Sequence, residues 1–226
     1  ETPRVLPHFS QDMNESRPSG APRPLRIGDP APVFRARTTS GEISLDQYRG
    51  RWLVFFSHPA DFTPVCTSEF VGLARASPQF EAMNCVLLGL SVDSLYAHIA
   101  WVRAIKEVFD VIVPFPIVED PSMAIGRAYG MLDEAAQDSS AVRATYFIDP
   151  AGVIRAMTWY PMTVGRSVDE MLRMVAALQR TATDDVMTPE GWQPGGELLL
   201  PPVQSAGGLA QGAMPADWFY QTRNDE

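Results

Sequence analysis

Cysteine is nearly absent: Cys66 and Cys85 are the only two thiols in 226 residues. Two cysteines exclude a disulfide-stapled secreted scaffold and any zinc or iron–sulfur site built from cysteine clusters. Lysine is scarcer still. Of 18 basic residues only Lys106 is lysine, which leaves 17 arginines, so a lone arginine points only weakly to a site. Positive charge as a whole is in deficit. With 27 acidic residues the net charge is −9 and the sequence pI near 4.8. Such a chain lacks the basic surface that binds nucleic acid through counterion release, and an anionic membrane surface is disfavoured for the same reason. No run approaches the roughly 20 apolar residues of a membrane span. Of the three histidines, His8 and His98 show neither cluster nor ligand spacing in the sequence, and neither a metal nor a cofactor is expected.

What is present is a globular chain, 46% hydrophobic and 20% charged. Its length suits one domain of about 150 residues plus an extension. Residues 1–24 hold five prolines and no periodic pattern, and read as an arm that orders only against a partner. They lack the apolar core of about 7–15 residues that marks a secretory signal. A cytoplasmic location is the expectation, with an upstream segment removed from the Met-less start left open.

From Leu25 the pattern is α/β. Trp52-Leu53-Val54-Phe55-Phe56-Ser57 is the continuous apolar run of a strand covered on both faces. Thr63 and Pro64 mark a helix start, and Phe70, Leu73, Ala74, Phe80 and Met83 supply its apolar stripe, with Pro78 expected to bend or interrupt it. A second buried strand spans 85–92, a helix 94–108, a short extended piece lies between Pro114 and Pro116, and a further helix covers 121–129. Strands at 143–149 and 153–159 flank the turn Asp149-Pro150-Ala151-Gly152, and a helix at 167–180 closes the unit. This order predicts a thioredoxin-like fold, a central mixed sheet with helices on both faces, over 25–182. Residues 183–226 form a C-terminal extension rich in turn formers. Its Trp192, Trp218, Phe219 and Tyr220 are too costly to leave in water, so it is expected to pack on the domain or on a second subunit.

The chemistry concentrates at Pro59-Ala60-Asp61-Phe62-Thr63-Pro64-Val65-Cys66. A buried strand stops at a proline loop, and a helix begins with Cys66 in its first turn. A thiol there meets free N–H groups and the positive end of the helix dipole, which favour thiolate. An ordinary thiol with a pKa of about 8.5 is only about 3% ionised at neutral pH, so a reactive one needs such help. The plainer reading is a small buried hydrophobe.

The spacing Pro-x-x-x-Thr-x-x-Cys, here Pro59, Thr63 and Cys66, resembles the active-site signature of the peroxiredoxins. The longer stretch from Phe56 to Phe70 is similar to their one-cysteine subfamily, and Thr188-Pro189-Glu190-Gly191-Trp192-Gln193-Pro194-Gly195 resembles that subfamily's C-terminal domain. The resemblance implies a thiol-dependent peroxidase that reduces hydrogen peroxide and organic hydroperoxides in antioxidant defence. Cys66 would become a sulfenic acid, Thr63 would hydrogen-bond thiolate and peroxide, and Pro59 would roof the pocket. Arg143 matches the catalytic arginine, Arg166 a second arginine and Glu69 its carboxylate partner. His58 matches a histidine of the one-cysteine group, and bonding to sulfur, proton relay and plain packing all stay open for it. Dimers or larger homo-oligomers are implied. The lipase-type serine that some members carry before this strand is missing from Arg49-Gly50-Arg51-Trp52-Leu53, so no phospholipase activity is carried over.

Cys85 opens a buried strand and reads as core; the alternative is a resolving thiol. No cysteine lies in the tail, so an external thiol or other reductant, with glutathione, ascorbate and thioredoxin all open, is expected to complete the cycle. A thiol–disulfide exchange module would need a cysteine where Glu69 stands. A chaperone-like binding role remains the third reading.

Overall fold

Two strands of unbroken apolar residues lie at the middle of a seven-stranded sheet. The structure is a computed structural model describing residues 23–132, 142–202 and 217–225, so His8 and nearly all of the expected arm at 1–24 lie outside it. β1 (Arg35–Thr38) and β2 (Gly41–Ser44) form an antiparallel hairpin. β3 (Trp52–Ser57) is buried at every position and pairs in parallel with β4 (Cys85–Ser91), from Trp52 opposite Cys85 to Ser57 opposite Leu90. β5 (Ile117–Glu119) continues the parallel set beside β4. β6 (Arg143–Ile148) runs antiparallel to β3, and β7 (Ile154–Tyr160) forms the outer edge of that hairpin. The order across the sheet is β2-β1-β5-β4-β3-β6-β7.

Alternation along β3 divides the core. Val54 and Phe56 face a layer made by α1 (Pro64–Ala82), α2 (Leu95–Phe109) and α4 (Val168–Thr183), which contribute Phe70, Phe80, Trp101, Ile105, Met171 and Val175. Leu53 and Phe55 face the other way, against Ala31, Ile43, Leu45 and Tyr129, the last following α3 (Ala124–Ala128). Helices on both faces of a mixed sheet make this the expected thioredoxin-like fold.

Local departures have local causes. α1 runs through Pro78 without the interruption the sequence allowed for; its buried Phe70, Leu73, Ala74 and Phe80 hold it against the sheet and outweigh the lost backbone bond. α3 begins at Ala124 rather than near Pro121, because Met123 takes a left-handed conformation (φ 61°). Ser94 and Ser167 cap α2 and α4, accepting from Ala97 N at 3.3 Å and Glu170 N at 3.2 Å. The β1–β2 hairpin had no counterpart among the expected elements.

Beyond α4 the chain turns back onto that helix. Val186, Trp192 and Leu198 enclose Ala177, Arg173 Nη1 donates to the Trp192 carbonyl at 3.4 Å, and Arg180 joins Asp184 to Asp225. β8 (Leu198–Leu199) and β9 (Thr222–Arg223) pair antiparallel. Trp192 is therefore buried as expected, whereas Phe219 and Tyr220 are 63% and 54% exposed in the single chain. Residues 203–216 of the tail lie outside the described residues. Among the described residues no helix is long and apolar enough to cross a membrane.

Candidate active site

The C-terminal end of β3 delivers the chain to the site. His58 N still bonds Leu90 O at 3.0 Å, and Pro59, which has no N–H to offer, ends the ladder and is itself buried. The loop then passes through Phe62, a non-glycine residue at φ 58°, before Pro64 opens α1. Backbone held in that region costs about 1–3 kcal/mol and persists only where the surroundings enforce it. The first helical bond runs from Thr67 N to Thr63 O at 2.9 Å, so the N–H groups of Val65 and Cys66 precede the helical ladder. Cys66 is fully buried in this first turn.

Thr63 occupies the N-cap position, but its hydroxyl makes no cap bond. Oγ1 donates instead to Ala60 O at 2.8 Å, tying the loop across itself. In this arrangement its proton is committed to a carbonyl, so the hydroxyl bond to the thiolate that the resemblance implies is not formed, a correction to that reading.

Arg143 reaches the sulfur, and Glu69, Arg166 and the Met162 carbonyl form the network that holds it there. Continuing the β3–β6 register places Arg143 opposite His58, at the same edge of the sheet as Cys66. Arg143 Nη1 lies 3.4 Å from Cys66 Sγ and 2.8 Å from Glu69 Oε2. Its Nε and Nη2 both donate to the Met162 carbonyl, at 2.9 and 2.7 Å, which fixes the plane of the guanidinium. Arg166 grips Glu69 from the other side: its backbone N and Nε reach Oε1 at 2.8 and 3.0 Å, and Nη2 reaches Oε2 at 2.7 Å. Arg166 Nη1 donates to Ala144 O and Thr145 Oγ1, and its guanidinium stacks 5.1 Å from the Phe56 ring centre. Burial pushes the Glu69 carboxyl up, but hydrogen bonds and charge from Arg166, with Arg143 behind them, hold it below the usual carboxylate range. The charge count is decisive. Two buried guanidiniums against one carboxylate leave one positive charge uncompensated, and a thiolate at Cys66 neutralises the cluster.

A second unit lies behind His58. Nε2 of His58 is 2.8 Å from Asp61 Oδ1, and His98 Nδ1, arriving from α2, is 2.7 Å from Asp61 Oδ2. His98 thus belongs to a cluster that its isolated position in the sequence did not suggest, a correction to that reading. The three residues are of metal-ligating types with ligand atoms within 4.8 Å of one another. Each carboxylate oxygen is nevertheless engaged by its own ring nitrogen at hydrogen-bond distance, so they form a hydrogen-bonded triad. Burial lowers the His58 pKa despite Asp61.

Cys85 stands apart. It opens β4 beside Trp52, while Cys66 follows the far end of β3. Five residue steps of strand separate these edges, about 16 Å, well beyond the roughly 7 Å between α-carbons that a disulfide tolerates. Both thiols are free, and burial pushes the Cys85 pKa up to about 12. Two surface cavities, of about 780 and 410 Å³, lie against α4 and against β1 and α3, away from Cys66.

All seven site residues singled out in the sequence therefore sit at one edge of the sheet. Those that sequence reasoning missed are Asp61, His98 and the Met162 carbonyl. His98, Trp101 and Ile105 share the buried stripe of α2, a helical periodicity that marks His98 as inward-facing.

Comparison with known proteins agrees with this geometry. The AhpC/TSA family model matches residues 27–157. A peroxiredoxin of Methanosarcina mazei is 42% identical over 213 residues, covering 88% of this chain and 97% of that protein. One from Aquifex aeolicus is 43% identical over 209 residues, covering 86% and 94%. Among solved structures, a yeast mitochondrial 1-Cys peroxiredoxin, studied for thiol resolution via glutathione/thioredoxin systems, is similar with a TM-score of 0.75 and 42% identity over 79% of this chain and 87% of that one. A cysteine-to-serine mutant of the peroxiredoxin 6 of Arenicola marina gives 0.75 at 33% identity, covering 81% and 86%. A reduced 2-Cys peroxiredoxin of Plasmodium vivax gives 0.72 at 33%, covering 78% and 93%. With its family model spanning more than half the chain and peroxiredoxins above 40% identity covering most of it, the protein belongs to the AhpC/TSA family of peroxiredoxins, the thiol-dependent peroxidases.

Proposed function

We propose that the enzyme reduces hydrogen peroxide and organic hydroperoxides at Cys66 and is regenerated by an external thiol, as part of antioxidant defence. The thiolate attacks the terminal peroxide oxygen, the S–O bond forms as O–O breaks, and the departing alkoxide or hydroxide takes a proton to leave as alcohol or water. The sulfenic acid then condenses with an external thiol, releasing water, and a second thiol attacks the external sulfur of that mixed disulfide, releasing Cys66 as thiolate and the two external thiols as a disulfide. The observation that carries this reading is the Arg143 guanidinium, placed 3.4 Å from the sulfur and locked by Met162 and Glu69. A preorganised cation there stabilises the thiolate and the charge that moves onto the leaving oxygen. Complete burial of Cys66 favours substrates that present a slender O–O–H end.

The remote position of Cys85 supports a one-cysteine cycle, and the yeast 1-Cys relative studied with glutathione/thioredoxin systems makes those two reductants the first to try. The exposed Phe219 and Tyr220 support a homodimer or larger assembly, which light scattering on the intact chain measures. Stopped-flow mixing with peroxide tests the reading: rapid thiol loss in the wild type and an inert Cys66→Ser variant are expected. Equal reactivity of the two would sink it.

A further inference from the structure

Asp61 and His98 have no part in the chemistry described above, yet they are buried, hydrogen-bonded to one another and joined through Asp61 to the His58 ring, whose Nδ1 is the one buried side-chain nitrogen or oxygen that lacks a partner among the described residues. We propose that Asp61 and His98 are positioning residues for the peroxidase reaction: they hold the His58 proton on Nε2 and so keep Nδ1 as a bare acceptor beside the Cys66 helix. The proposal rests on the peroxidase reading and extends it to residues of the loop and of α2.

The proton count leads there. An ionised carboxylate only accepts hydrogen bonds, and Asp61 has one imidazole nitrogen on each oxygen, at 2.8 and 2.7 Å. Burial pushes the Asp61 carboxyl up, but bonds from His58 and His98 more than offset it and keep it ionised. Both facing nitrogens must therefore carry protons. His58, with burial opposing a second charge, keeps a single proton and places it on Nε2. Nδ1 is left with its lone pair.

The His58 ring lies against the helix that carries Cys66. The His58 ring packs edge-on against Phe70, 4.8 Å between centres, and lies 5.2 Å from Trp101. Phe70 is one helical turn beyond Cys66 on the same face of α1. An acceptor there suits the O–H of a hydroperoxide or of the sulfenic acid. The surroundings fix the ring from every side. Asp93 Oδ2, held by Ser91, accepts from Asp61 N at 2.9 Å and pins the loop, and His98 Nε2 faces the Val118 carbonyl of β5 at 3.3 Å. The titratable groups around His58 are thus Asp61, Asp93 and His98, with Cys66 on the facing helix. His98 acts only through Asp61, as an orienting partner that preserves one tautomer.

The test is nitrogen NMR on the full-length reduced protein labelled with ¹⁵N-histidine, His58 being assigned by its loss in His58→Asn. The expected wild-type pattern at neutral pH is a protonated Nε2 and a bare Nδ1. Asp61→Asn should give a tautomer mixture and a second-order rate constant with hydrogen peroxide lower by at least about tenfold, with His98→Gln shifting both in the same direction. A wild-type proton on Nδ1 overturns the proposal without any variant. So does an Asp61→Asn protein that folds, keeps the wild-type tautomer and reacts at the wild-type rate. If the wild type itself fails to react with peroxide, the peroxidase reading falls instead, and the tautomer still reports on the triad.

Discussion

Arg143 Nη1 stands 3.4 Å from Cys66 Sγ while the rest of its guanidinium is held by the Met162 carbonyl at 2.9 and 2.7 Å. The cation is therefore in place before any substrate arrives. Replacing it separates charge from geometry. Arg143→Gln is expected to lower the second-order rate constant with peroxide by about 10²–10³. Arg143→Lys should recover only part of that loss, because one ammonium cannot serve Met162, Glu69 and the sulfur together. Stopped-flow fluorescence at fixed pH checks both.

Glu69 is the counter-charge for two buried guanidiniums, so its removal should be felt in stability as well as in rate. Glu69→Gln leaves Arg143 and Arg166 uncompensated and is expected to destabilise the fold by about 3–5 kcal/mol in denaturant unfolding. The sign of its pH dependence follows from a folded pKa lowered below the unfolded value near 4.5. Its contribution is complete above that value and is lost as pH falls through the lower folded one. The variant's unfolding free energy should thus be flatter across the acid limb below about pH 4.5 than the wild type's.

His58 contributes at milder pH. Burial lowers its folded pKa below the unfolded value of 6.5, so below that pH the unfolded chain binds a proton that the folded one declines. Stability present above 6.5 should decline as the pH falls through the lowered folded value, and His58→Gln should blunt that decline. Urea midpoints measured between about pH 7.5 and pH 5 check it.

Elements carrying one unambiguous signal were legible in the sequence. β3 is the apolar run Trp52–Ser57 because both of its faces are covered, and α4 is read from its stripe and its cap at Ser167. The β1–β2 hairpin escaped because half of its positions are exposed and its residues are mainly polar; the turn that makes it rests on Gly41 at φ 106°. Cys66, Thr63 and Pro59 lie within eight consecutive residues and could be recognised together. What the chain order conceals is contact between distant segments. Nothing local says that Arg166, just before α4, closes on Glu69, or that the Met162 carbonyl orients Arg143. Asp61 sits three residues from His58, yet its partner on α2 appears only when that helix's buried face is laid against the loop.

Cys85 should behave as core. Its thiol, pushed up to about 12 and 3% exposed, is expected to resist alkylation in the native protein and to react only in denaturant. Cys85→Ala should leave the peroxide rate constant within about twofold, since substitutions away from a site couple weakly to it. Native and denatured thiol counts by iodoacetamide labelling and intact mass check the first expectation, stopped-flow the second.

Peroxide oxidation in the presence of dimedone, read by peptide mass spectrometry, tests most directly that Cys66 alone carries the peroxide chemistry. One equivalent of hydrogen peroxide should place the adduct on Cys66, leave Cys85 a free thiol and return fully to the reduced mass when excess thiol replaces dimedone. A Cys66–Cys85 disulfide, or peroxide consumption with Cys66 unmodified, would overturn that assignment.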